Sequence, residues 1–159
     1  MRNFWLSIML LLSLGTVCPA AEKKVEAPAD CEQCGMNRTA FGHSRMVVTY
    51  KDGSTAGTCS INCTVTDMKK QPGKEVKSFQ VGDYNSKKLI DAKTAVWVIG
   101  GKKKGVMTQV AKWAFADKKA ASAFLKENGG TPATFDEALA ATEKELAGTG
   151  AKGHSGHKM

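Results

Sequence analysis

Apolar and polar positions fall into two runs of alternation, one on each side of a break at Gln71-Pro72-Gly73. In the first run, residues 45–50 (RMVVTY) read as a strand. Asp52-Gly53 is a strong hairpin turn, and residues 54–58 form the return strand. Ser60 is placed to cap a helix over residues 61–70. In the second run, residues 76–81 predict a strand and residues 82–86 (GDYNS) a turn. Residues 94–99 (TAVWVI) give the clearest strand signal in the chain. Gly100-Gly101 turns it, with Lys102, Lys103 and Lys104 at the exposed tip, and residues 106–110 and 113–115 continue as extended segments. Asp117 can cap a helix over residues 118–127, whose Ala120, Ala121, Phe124 and Leu125 share one face. Asn128-Gly129-Gly130 ends it. Thr134 and Glu137 form a capping-box pattern for a last helix over residues 136–147.

Strands, a turn and then a helix occur in both runs, which predicts an α+β fold: small antiparallel sheets with helices packed on them, in two loosely similar halves. The ends read differently. Residues 1–21 have Arg2, then an apolar run from Phe4 to Val17, then Cys18-Pro19-Ala20-Ala21. That is the layout of a secretory signal peptide, too short for a comfortable membrane span. Cleavage near Ala20 or Ala21, and lipid attachment at Cys18 after the manner of a lipoprotein, both remain open. Either way the expected location is the periplasm or cell envelope. Residues 22–30 read as a flexible leader, residues 31–147 as a single domain, and residues 148–159 (GTGAKGHSGHKM) as a disordered, His-containing tail.

Charge changes this picture little. The chain carries 23 Lys+Arg against 15 Asp+Glu, a net charge of +8. The lysine runs have no aromatic interleaving, so they read as solvated surface rather than as a nucleic-acid interface. Catalytic motifs such as GxSxG and HExxH are absent, which argues against an enzyme.

Sulfur changes it a great deal. Cys31 and Cys34 form CxxC, followed at once by Gly35-Met36, and Cys59 and Cys63 form CxxxC at the start of the first helix. Positions four apart on a helix share a face, and the helix N-terminus favours a thiolate. A CxxC loop, a hairpin and a second Cys pair at a helix start is the layout of a small metal-binding knuckle. Four thiolates suit zinc, while thiolate together with thioether favours Cu(I). Two disulfides are the alternative in an oxidising compartment. Met46 and Met68 fall on a strand and a helix and read as core. His43, in the turn before the first strand, is a candidate auxiliary ligand, as are His154 and His157 near Met159 in the tail. The CxxC follows a leader and not a strand, unlike a thioredoxin-type redox motif.

CEQCGM at 31–36 with the hairpin and Cys59-Ser60, VGDYNSKKLIDAKTAVWVIG at 81–100, and the stretch 106–139 together resemble the NosL family of bacterial copper-binding accessory proteins. The resemblance spans about residues 31–140. It implies an α+β fold of two ββα-type halves and a Cu(I) metallochaperone serving a copper enzyme, nitrous-oxide reductase, with a copper-donating partner upstream. It also implies a copper site that uses Cys31, Cys34, Met36 and Met107. Cys63, in CSINC, stands outside the family's core pattern and points to a branch with a four-thiolate site. The membrane would be a partner only through a lipidated Cys18.

Overall fold

The computed structural model describes residues 26–150. The signal peptide, Cys18, residues 22–25 of the leader, His154, His157 and Met159 lie outside the described residues. Ten elements follow in order: β1 (Met46–Tyr50), β2 (Thr55–Thr58), α1 (Ile61–Lys70), β3 (Val76–Gly82), β4 (Leu89–Asp91), β5 (Val96–Ile99), β6 (Lys112–Phe115), α2 (Lys118–Asn128), β7 (Thr131–Ala133) and α3 (Phe135–Gly150). They build two antiparallel sheets, ordered β2-β1-β3-β4 and β6-β5-β7. The same ββαβ unit appears twice. In each, a central strand pairs with the next strand, a helix crosses over, and the following strand returns to the central strand's other side. β4 extends the first unit and α3 the second. The fold is α+β, as the alternation predicts.

The helix starts follow the predicted caps. Ser60 accepts from the Cys63 N–H and Asp117 from the Ala120 N–H. Thr134 and Glu137 exchange bonds, with Glu137 Oε2 accepting from the Thr134 N–H at 2.7 Å and Thr134 Oγ1 accepting from the Glu137 N–H at 3.3 Å.

Six stretches differ from the sequence expectation. β4 and β7 are three-residue edge strands with too little alternation to read, and β7 contains Pro132, which only an edge tolerates. Thr94 belongs to a turn, its N–H bonded to Asp91 Oδ1, and β5 begins at Val96. Residues 106–110 are not a strand: Glu145 of α3 accepts from Thr108 Oγ1 and the Gln109 N–H, bending the segment onto the helix. α3 runs past Ala147 to Gly150, and residues 26–30 are tied to the domain rather than loose. There Arg38, fully buried, donates to Glu26 Oε1 and to the backbone carbonyls of Glu26, Pro28, Met46 and Thr58, while Arg45 also pairs with Glu26.

The three-stranded sheet is covered on both faces, and strand alternation sorts its residues. Trp97 and Ala114 face a core with Met46, Val48, Tyr50, Phe79 and Val81 of the larger sheet and Phe135 and Ala138 of α3. Val98, Trp113 and Phe115 face a second core with Ala121 and Phe124 of α2. Met46 is fully buried and Met68 packs against the first core, as read from their positions. Asp83 joins the halves by accepting from the Ser86 and Ala116 N–H groups; burial opposes its ionisation, but these backbone donors hold its carboxyl below the usual range.

Phe135 bridges the first core, with its ring 4.9 Å from Phe79 and 5.8 Å from Trp97. Phe135→Ala leaves a cavity between α3 and both sheets. The expected loss is about 3–5 kcal/mol of unfolding free energy, read from urea denaturation followed by far-ultraviolet circular dichroism.

Candidate metal centre

The CEQCGM segment is a closed loop. Asp30 and Asn37 pair in an antiparallel bridge at its base. Inside, the Cys31 N–H donates to the Met36 carbonyl and the Gly35 N–H to the Cys31 carbonyl, both at 2.8 Å. Gly35 has φ 73° and open space where a Cβ would stand, so the position needs glycine for the left-handed turn and not for packing. Glu32 ties the loop to the hairpin through the Gly57 backbone, donating from its N–H to the Gly57 carbonyl and accepting the Gly57 N–H on its carboxylate.

The second pair comes from the junction of β2 and α1. Cys59 follows the strand and precedes the cap, and Cys63 sits on the first turn. Their one-turn separation brings both thiols to the loop. Cys34 Sγ lies 3.5 Å from Cys59 Sγ and 3.7 Å from Cys63 Sγ, and Cys59 and Cys63 are 3.7 Å apart. With Cys31, all four sulfurs lie within 4.8 Å of one another. All four are free thiols. Cys31, Cys59 and Cys63 are buried and Cys34 is half-buried. A tetrahedral ion with metal–sulfur bonds of ~2.3 Å has sulfur–sulfur edges of about 3.8 Å. The near-equilateral triangle of Cys34, Cys59 and Cys63 therefore has nearly the spacing a bound thiophilic ion requires.

Electrostatics single out one sulfur. The hydrogen bond from the Cys59 thiol is the largest influence on Cys63. With contributions from Cys34, Cys31 and Ser60, it outweighs burial and lowers the Cys63 thiol to about 6. The first turn of α1 acts in the same direction. Cys59 moves the opposite way, held protonated by its bond to Cys63 and by burial. Burial also raises Cys34. Cys63 thus ionises well before Cys34 and Cys59.

A polar clamp fixes the loop to the helix. Gln33, between the two loop cysteines, donates to Asp67 Oδ1 at 2.7 Å. Asp67 lies four residues after Cys63 on α1 and also accepts from the Tyr50 hydroxyl at 2.9 Å and from Gln71 Nε2 at 2.7 Å. Burial and the Asp67 carboxylate push the Tyr50 phenol up, which keeps it a donor. Lys70 Nζ donates in turn to Gln33 Oε1 at 2.6 Å. Gln33, Asp67 and Tyr50 escape a reading based on metal ligands. Their signals in the sequence are slight: Gln33 lies inside CxxC, and Asp67 shares the Cys63 face of α1 by its i,i+4 spacing.

The remaining candidates divide. Met36 packs partly buried against the core that contains Cys31, Cys59 and Cys63. Met107 stands 50 % exposed with φ 53°, next to Val106, which is buried in that same core. His43 is not in the sulfur group. It packs among Phe41, Tyr84 and Trp113, and burial, with the nearby charge of Lys87, lowers its pKa. Among the described residues, the four cysteines are the one group of three or more His, Cys, Asp or Glu side chains placed to hold an ion.

The family model named NosL matches residues 22–142. The chain belongs to the NosL family. Its fold is similar to the crystal structure of the copper chaperone NosL from Shewanella denitrificans, at 25% sequence identity and a TM-score of 0.55, over 70% of this chain and 90% of that one. No curated protein matches the chain. In this NosL-family member the expected pair Cys31 and Cys34 is joined by Cys59 and by Cys63, and the four thiols stand close enough together to hold a metal ion.

The lowered Cys63 thiol gives a test on the reduced, metal-free protein. Thiolate ultraviolet absorbance is expected to be present at neutral pH and to disappear as pH falls through about 6. Cys63→Ser should remove that titration step; a wild type with no thiolate below pH ~8, the range of an ordinary thiol, would contradict the assignment.

Proposed function

We propose that the chain is a Cu(I) metallochaperone of the cell envelope that carries copper to a copper enzyme, with nitrous-oxide reductase as the client its NosL kinship suggests. The observation that carries this reading is the group of four free thiols within 4.8 Å, with a thioether, Met36, packed against the same core. Thiolate and thioether together select Cu(I) over harder ions. Similarity to a copper chaperone supports the same choice.

The work is binding and release, not catalysis. Three of the sulfurs are buried and Cys34 is the more open one, so ligand exchange with a donor or client begins at Cys34. Met107, half exposed beside the buried Val106, is the outer thioether of that path. Cys31, Cys59 and Cys63 retain the ion in a low-dielectric surround. Secretion through residues 1–21 belongs to this reading, as does membrane attachment if Cys18 carries lipid. No helix among the described residues is long and apolar enough to cross a membrane.

The sulfur spacing also fits a structural zinc knuckle. Competition separates the two readings. Reduced protein should withdraw Cu(I) from a colorimetric chelator, lose that ability on thiol alkylation, and yield the metal to a second chelator. Cys34→Ser should abolish the competition. Gln33→Ala, which frees the loop from Asp67, should weaken it on the order of tenfold, the lower range for residues that orient metal ligands. A tightly held zinc that resists Cu(I) challenge would overturn the copper reading.

A further inference from the structure

Arg38 and Arg45 lie between the CxxC loop and β1, and both are buried. A buried cation is tolerated where its donors and its charge are matched. All five N–H donors of Arg38 find acceptors. Nε donates to the Thr58 carbonyl at 3.2 Å, Nη1 to the carbonyls of Glu26 and Pro28, and Nη2 to the Met46 carbonyl at 3.1 Å and to Glu26 Oε1. Arg45 donates from Nε and Nη2 to the same carboxylate, and from Nη1 to the carbonyls of Gly42 and Lys87. Glu26 is thus the ion-pair partner of both arginines, and neither has another among the described residues.

The bonds from Arg38 end beside the thiols. The Thr58 carbonyl belongs to the peptide group that enters Cys59. The carbonyl of Cys59 itself accepts from Ser44 Oγ at 2.9 Å. Both peptide groups of Cys59 are therefore held by residues of the segment that leaves the CxxC loop. On the loop side, the Arg38 N–H donates to the Ala29 carbonyl at 2.8 Å, next to the Asp30–Asn37 bridge. One residue sets the base of the loop against the strand end that carries Cys59, across the 3.5 Å between Cys34 and Cys59 Sγ. Gly57 shows how closely residues 26–30 lie on β2. A Cβ there would stand 2.5 Å from Pro28 Cδ and 2.9 Å from Arg38 Cζ, so only glycine lets this strap approach the strand.

We infer that Glu26 is a positioning residue of the metal centre: acting through Arg38, it holds Cys59 at ligand distance from the CxxC loop. Glu26 itself bonds to no sulfur. Its carboxylate neutralises two neighbouring guanidinium groups and keeps Arg38 among its acceptors. Without that charge the two cations are buried unpaired, and solvation draws them outward, away from the Thr58 carbonyl. Residues 26–30 are then part of the centre and not a leader to it. This role rests on the reading of the four thiols as a metal site.

The test uses the reduced, metal-free full chain with Cd(II), a thiophilic ion, as the probe. Cd(II)–thiolate absorbance gives the affinity, by competition with a chelator, and the relative number of thiolates per bound ion. Glu26→Gln is expected to weaken Cd(II) binding at least tenfold, the scale for residues that orient metal ligands, and to lower the absorbance per bound ion. Gly57→Ala pushes the strap from β2 with the carboxylate intact and should reproduce both losses. Phe135→Ala is the control. It destabilises the domain from the other core, which contains none of the thiols, and should leave both readings as in the wild type. If one of the two strap variants fails to fold, the other decides. Wild-type affinity and absorbance in a folded strap variant, or losses no larger than those of Phe135→Ala, would overturn the assignment. Loss of folding in both would overturn it too, since the strap would then support the whole domain. A wild type that binds Cd(II) through its thiols yet withdraws no Cu(I) fails the copper reading alone; one with no Cd(II)–thiolate absorbance fails both.

Discussion

Four thiols have to stand close enough to share one ion and far enough apart to remain thiols. That constraint shapes the structure around residues 31–67. At 3.5–3.7 Å the sulfurs of Cys34, Cys59 and Cys63 are near the edge length of a metal–sulfur polyhedron and well beyond the ~2.05 Å of a disulfide. Cysteines on one flexible loop would be free to close that gap. Here they are divided between a loop with its own internal hydrogen bonds and a helix start with a fixed cap. Pairing Cys34 with Cys59 or Cys63 therefore requires the loop to move against the helix. The clamp from Gln33 to Asp67 resists that motion, and Tyr50 and Gln71 fix Asp67 in turn.

The same division explains the charge distribution in the group. Burial alone would keep every thiol protonated. Cys63 escapes because it lies on the first turn of α1 and receives hydrogen bonds from its neighbours, with Cys59 foremost. An ion arriving at the group thus meets a thiolate already formed beside thiols that can lose their protons as it binds. Metal binding to such a group releases protons and depends on pH for that reason. The apolar surround of Val98, Val106, Trp113 and Phe124 keeps water from the buried side of the sulfurs and strengthens the interactions inside.

Much of this was legible before any coordinates. Ser60, Asp117 and Thr134 marked three helix starts because each cap is a local contact between residues three apart. The four cysteines announced themselves by spacing, and the pairing of a loop knuckle with a helix start followed from that. What escaped the sequence was non-local. β4 and β7 are held by neighbouring strands rather than by their own pattern. The 106–110 segment alternates like a strand but is bent onto α3 by Glu145, 36 residues away at its bond to Gln109. Residues 26–30 have the composition of a loose leader, yet a buried Arg38 needs acceptors, and Glu26 and Pro28 supply them. The clamp of Gln33, Asp67 and Tyr50 is carried by three ordinary residues from a loop, a helix and a strand. His43 looked like a spare ligand only because its aromatic neighbours, Tyr84 and Trp113, lie far along the chain.

The two ββαβ units show how one scaffold supports unlike tasks. In the first, the helix start after β2 carries Cys59, Ser60 and Cys63, and the unit is polar and reactive at that end. In the second, the equivalent helix start after β6 carries Ala116 and Asp117, and the strand before it presents Trp113 and Phe115. The repeat therefore places a sulfur-bearing helix start in one half and an aromatic wall in the other. The cysteines and those aromatics meet in a single apolar core. The second half lacks thiols at its helix start, yet its aromatic residues pack in the same core as Cys31, Cys59 and Cys63, while Cys34 is the more open of the four. Loss of the wall would leave the four thiols on their loop and helix but open them to water. The reactive half depends on the aromatic half even though none of the four thiols lies in it.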